Sequence, residues 1–297
     1  MNPGILLGIG AYLVWGLLPL FWKLLQNVPA SEILCHRMVW SFAFFLILLI
    51  VGKSWKWLSV LKSNPKIILQ YALCAVLISF NWFIYIWSVL NGHVVEASLG
   101  YFINPLMAVL LGVIFLKEKL RMAQLGAIIL AFIGVLYLTV IFGSLPWRGL
   151  ILALSFSIYG LTKKKVPLKS REGMSLETAI QFLPALLYIL WLAHQNTTHF
   201  TTSDPGTMLL LILSGVVTGF PLYLFASAAS KINLSQLGIL QYISPTLQLL
   251  IGTLIHGEAF PRNKLIGFIF VWIAVILYTT ENIRSYQRER EISKGRK

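Results

Sequence analysis

Ten runs of about 20 mostly apolar residues follow one another along the chain, near 3–25, 32–51, 67–89, 95–116, 121–142, 146–163, 174–194, 207–229, 234–256 and 263–281. A helix of that length crosses the roughly 30 Å hydrocarbon core of a bilayer. Only helices and closed barrels satisfy their backbone there. The expected fold is therefore an all-α integral membrane protein of ten transmembrane helices, with no loop long enough to form a separate soluble domain. The runs at 67–89 and 146–163 are the most interrupted by polar residues. Composition agrees: 58% of the 297 residues are hydrophobic and 11% are charged, against about 25% charged in a soluble domain. Mean hydropathy is +0.79. A water-soluble fold could not cover its surface with so few charges, and a disordered chain would not be so apolar. The first run lacks a basic leader and is longer than the 7–15 apolar residues of a signal peptide, so it reads as the first span.

The net charge is +14. Such a balance can signal nucleic-acid binding, but here the cations sit in short loops between apolar runs. Most of the 24 basic residues fall on one side: Lys53, Lys56, Lys62 and Lys66; Lys117, Lys119 and Arg121; Lys163 to Lys165, Lys169 and Arg171; Lys231; and the tail from Arg284 to Lys297. The other side holds Lys23, Arg148, Arg262 and Lys264. Positive loops stay inside, so both termini are expected in the cytoplasm, in agreement with an even number of spans. The basic tail reads as a cytoplasmic anchor rather than a nucleic-acid arm.

The chain also carries an internal repeat at an offset of 140 residues. Pro105 falls on Pro245, Gly112 on Gly252, Glu118 on Glu258, Ile103 on Ile243 and Asn104 on Ser244. The repeat unit is five helices. Because five is odd, the second copy is expected to enter the membrane from the opposite side, the inverted-repeat design of many secondary transporters. The expected organisation is a first repeat at 1–142, a second at 143–281 and a basic tail at 282–297. The alternative is chance likeness between two apolar helices.

Polar residues inside apolar runs are costly and usually face a partner or a cavity. In the fourth run Glu96, Gly100, Asn104, Ala108 and Gly112 recur every four residues; in the ninth, Gln241, Ser244, Gln248 and Gly252 do the same. Pro105 and Pro245 interrupt these stripes, each freeing a carbonyl four residues back. The stripes read either as cavity lining or as small-residue packing seams, with the cavity preferred for Asn104 and Gln241. Asn81, Trp82 and Tyr85 in the third run, Tyr101 in the fourth and Trp15 in the first add amide and aromatic groups suited to a partly apolar solute. Trp15 and Trp82 fit a buried core equally well. Arg37, at one end of the second run, either attracts an anion or pairs with Glu96 or Glu32. Arg37 and Glu96 are candidates for a proton or charge role.

Enzyme chemistry finds little footing. The sequence has no HExxH, no phosphate-binding loop and no Ser-His-Asp arrangement. Cys35 and Cys74 lie inside apolar runs at no metal or redox spacing. Neither a metal nor a cofactor is expected. The expected partners are a small-molecule substrate and the lipid bilayer, with monomer and homodimer both open.

The strings 32-EILCHRMVWSF, 96-EASLGYFINPL, 142-FGSLP and 241-QYISPTL together resemble RarD-type permeases, in the EamA branch of the drug/metabolite transporter superfamily. The likeness runs from about residue 4 to residue 281. It implies two EamA-type halves around a central cavity, a bacterial inner membrane, and movement, mostly outward, of amino acids and other small or drug-like metabolites. It implies no substrate-determining motif, so the candidate residues above rest on the sequence itself. The rival readings are a membrane sensor or scaffold, a lipid-handling protein and a channel. A scaffold would bring a long cytoplasmic segment, lipid chemistry would need a catalytic cluster, and an open pore would be less aromatic.

Overall fold

The computed structural model describes residues 3–52, 55, 58, 61, 64–117, 121–142, 144–163, 168, 170–229, 231–232 and 240–295. Among these there is no β-strand. The helices are α1 (Pro3–Leu24), α2 (Ala30–Gly52), α3 (Lys66–Leu90), α4 (Val94–Leu116), α5 (Met122–Phe142), α6 (Trp147–Lys163), α7 (Ser170–His194), α8 (Pro205–Ala229), α9 (Ile243–Leu250) and α10 (Arg262–Gly295). A single helical turn, His199–Thr202, precedes α8, and a π-helical turn, Ile251–Ile255, continues α9.

Eight of these, α1 to α5, α7, α8 and α10, are long and apolar enough to cross a membrane. The sixth and ninth runs differ from the even sequence pattern. Helix α6 has 17 residues, a length of about 26 Å, and carries Ser155 and Ser157 on a buried face. The ninth run forms eight α-helical residues and a five-residue π turn, and its start at 234–239 lies outside the described residues. Helix α10 runs through the expected tail boundary at 282 and ends at Gly295.

The proline expectation also splits. Pro105 stands inside α4. Pro245 is the third residue of α9, in the first turn, where an amide hydrogen has no intrahelical acceptor and proline is tolerated. The Gln241 carbonyl, expected to be free, accepts from the Ser244 amide at 3.3 Å.

Helices from the two half-chains interleave. α4 packs on α6 and α1 on α9; α3 packs on α6 and α1 on α8; α3 packs on α7 and α2 on α8; α2 meets α7, α4 meets α9 and α5 meets α10. Exchanging each helix for the one five places away carries these pairings onto themselves; α4 also packs on α10, a contact without an equal between α5 and α9. One close crossing is glycine on glycine: a Cβ at Gly100 would collide with the Gly149 carbonyl oxygen. The largest apolar core joins Trp22, Ile33, Ile86, Leu152 and Leu211, from five different helices.

Candidate solute site

Arg37 is the buried cation of the bundle, 3% exposed. It lies seven residues into α2, about 10 Å along the axis, with Tyr101 equally far into α4 and Tyr85 five residues before the end of α3. The guanidinium carbon sits 3.8 Å over the Trp82 ring and 5.4 Å from the Trp22 ring. A desolvated cation–π contact of this kind stabilises by about 2 kcal/mol. Tyr85 and Tyr101 lie within electrostatic reach of the charge, and their rings meet edge to face at 5.6 Å.

Neither carboxylate considered from sequence pairs with Arg37. Glu96 accepts from Arg148 twice, from its backbone N–H at 2.9 Å and from Nη1 at 2.8 Å. Glu32, 1% exposed, accepts from Thr198 Oγ1 at 2.8 Å, from the His199 amide at 2.7 Å and faces His199 Nδ1 at 2.8 Å. The expected structural pair is thus replaced by two local anchors. The nitrogens Arg37 Nε and Nη1 have no hydrogen-bond partner, nor does the Tyr85 hydroxyl.

The amides are more committed than the sequence suggests. Asn81 Nδ2 donates to the Leu152 carbonyl and to Ser155 Oγ, both at 2.9 Å, so it ties α3 to α6. Asn104 Oδ1 accepts from Ser157 Oγ at 2.9 Å, and its Nδ2 has no protein acceptor among the described residues. Glu96, Gly100 and Asn104 therefore all meet α6, the packing side of the two readings of that stripe. On α9, Gln248 Nε2 donates to Ser244 Oγ at 3.1 Å and to the Trp15 carbonyl at 3.3 Å. Trp15 packs edge-on to Tyr12 at 5.4 Å. Gln241 and Tyr242 form the turn before α9. The candidates fall into two groups: Arg37, Trp82, Tyr85 and Tyr101 come together, whereas Trp15 and Ser244 gather across α1 and α9.

The whole chain then compares closely with known transporters. The model of the EamA-like transporter family matches twice, over residues 2–140 and 147–280. The chain belongs to the EamA-like transporter family. Protein RarD of Streptomyces exfoliatus is 48% identical over 97% of this chain and 92% of its own length. The uncharacterized transporter YojE of Bacillus subtilis strain 168 is 45% identical, covering 95% of each chain. A solved crystal structure that is 19% identical covers 95% of this chain and 98% of its own, with a TM-score of 0.58, a likeness of fold. The protein is a multi-pass membrane transporter.

Three polar anchors of this EamA-family chain have partners that its sequence did not indicate. Glu258 accepts from the amides of Val94 and Val95 at 2.6 and 2.9 Å. The N-cap of α4, His93, makes no side-chain cap, so a carboxylate from the far half-chain serves the helix N-terminus instead. Gly257, at φ +66, adopts the left-handed turn that presents Glu258. Glu32 and its partners close the same end between α2 and the turn before α8. At the opposite end Glu177, 1% exposed, is held by Lys163 Nζ and by the Tyr159 hydroxyl, joining α6 to α7. Glu177 was findable as an acidic residue inside an apolar run; the other two needed the loop geometry.

Proposed function

We propose that the chain is a secondary transporter of small, partly polar organic molecules such as amino acids or drug-like compounds. It works by alternating access in a bacterial inner membrane, with both termini in the cytoplasm. The observation that carries the mechanism is the helix pairing. Two half-chains of five helices whose most extensive mutual contacts interconvert under exchange suit a pseudo-two-fold relation, and an odd count per half makes the copies oppositely oriented. Closing one end and opening the other then costs little net free energy, because equivalent contacts are made and broken. Glu258 on α4, Glu96 on Arg148 and Glu32 on the 198–199 turn are the contacts to release at the outer end. Lys163 and Tyr159 on Glu177 are those at the inner end. Asn104, Gln241, Asn81 and Ser244 hydrogen-bond the solute, Trp15, Trp82, Tyr85 and Tyr101 pack on its apolar part, and Pro105 sets the bend that gates it.

The test is uptake and counterflow in proteoliposomes with labelled amino acids, other small metabolites and chloramphenicol, with and without a pH gradient. Saturable flux of one class is the expected result, reduced in Asn104→Ala and Gln241→Ala. Unchanged flux in both variants rejects the site assignment. No flux of any compound through folded protein rejects the transporter reading in favour of a sensor or scaffold.

A further inference from the structure

The buried end of the bundle between α1, α2, α3 and α4 is rich in hydrogen-bond donors and poor in acceptors. Its unpartnered polar atoms are Trp22 Nε1, Arg37 Nε, Arg37 Nη1 and the Tyr85 hydroxyl. Among the described residues the only charged group there is Arg37; the two acidic candidates from sequence are occupied by Arg148 and by Thr198 and His199. A guanidinium buried without an acceptor is strongly unfavourable, far more so than a satisfied one. Two indole faces hold its charge, but they accept nothing from the N–H edge. Planar guanidinium edges match carboxylates in a two-pronged geometry.

We propose that this pocket recognises an anion, and that the solute is an organic carboxylate with an apolar body. Its oxygens accept from one N–H edge of the Arg37 guanidinium and from the Tyr85 hydroxyl, while its body lies against Trp82 and Tyr101. The inference rests on the transporter reading and names the substrate class of that site. It also gives a reason for an arginine at this depth: the missing acceptor arrives with the cargo, and the occluded pocket is stable only when loaded.

Matched probes test the charge alone. Phenylacetate and phenylacetamide, and hexanoate and hexanamide, are titrated into purified protein while tryptophan fluorescence is followed, since Trp22 and Trp82 flank the guanidinium. The same compounds compete in proteoliposome counterflow. The acids are expected to bind at least about tenfold more tightly than their amides, the size of one charge-assisted hydrogen bond. Arg37→Gln abolishes the preference, Arg37→Lys restores part of it, and Tyr85→Phe, which removes only an unpartnered hydroxyl, narrows it about tenfold in protein of unchanged melting temperature. Equal binding of acid and amide, or an acid preference that survives Arg37→Gln, overturns the proposal while saturable flux still upholds transport. Failure of all four probes to bind, beside saturable counterflow of a neutral solute, also overturns it. Absence of both binding and any flux in folded protein removes the transporter reading with it.

Discussion

Glu258→Ala removes one carboxylate and exposes two consequences. In the wild type its oxygens accept from Val94 and Val95 at 2.6 and 2.9 Å. A hydrogen bond to a charged group contributes about 1.5–3 kcal/mol, and an anion at a helix N-terminus adds about 0.3–1 kcal/mol. Both are discounted because the loop is part-exposed to water, which leaves about 2–3 kcal/mol. That amount favours opening of the first turn of α4 by roughly 30- to 150-fold. Hydrogen–deuterium exchange reads the very amides that lose their acceptor. A peptide spanning 91–98 is expected to exchange faster by that factor in Glu258→Ala and by less in Glu258→Gln, which keeps one acceptor oxygen. Exchange in α7, remote from the site, stays unchanged. If the 91–98 peptide kept its wild-type protection in folded Glu258→Ala, the carboxylate would not be what holds α4 to the second half-chain.

Further outcomes follow from the packing and the loop charges. Gly100→Ala drives a methyl into the Gly149 carbonyl and is expected to cost about 1–3 kcal/mol in thermal unfolding in detergent. Gly126→Ala meets nothing within 4 Å and is expected to be neutral or stabilising by up to about 1 kcal/mol. Lys163→Ala leaves Glu177 buried without its cation and is expected to cost about 3 kcal/mol, with Lys163→Ala/Glu177→Gln recovering much of it; a purely additive pair would refute the coupling. His93 and His256, in the loops around α4 and after α9, are held below the ordinary histidine range by burial, with Arg148 and Lys23 as the next cause respectively. The unfolded imidazoles take up protons first, so stability is expected to fall as pH drops below about 6.5. A His93→Asn/His256→Asn variant should show a flatter melting profile from pH 7 to 5, and an unchanged slope would argue against this assignment.

How legible the molecule was depends on what carried the information. Apolar runs and the 140-residue repeat anticipated an all-helical bundle in two family-matched halves, because burying apolar length in lipid is a one-dimensional requirement. The short α6 and the broken α9 were harder to anticipate. Ser155 and Ser157 looked like interruptions of a span, yet they are the partners of Asn81 and Asn104. Pro245 looked like a mid-helix kink, yet a turn at 241–242 puts it in a first turn. For the site, the sequence picked out Arg37 and its aromatic neighbours but offered it the wrong partners. Glu32 and Glu96 are near in sequence pattern, whereas Thr198, His199 and Arg148 reach them only through long-range folding. Helical periodicity places residues on a face and does not say which other helix will meet it.

The glycine-on-glycine crossing of α4 and α6 bears on how such a chain can be divided. Gly100 and Gly149 lie on opposite sides of the link between α5 and α6, and the exchange-related pair, α1 on α9, brings a Cβ at Gly16 within 2.7 Å of Leu247. Each half-chain thus leaves a close-packed seam bare until the other arrives. Cleaving the linker would yield two fragments that complement each other when made together and are insoluble apart. Two copies of one such half, docked on the same seams, would form a homodimer whose subunit boundary is the surface that the single chain now encloses.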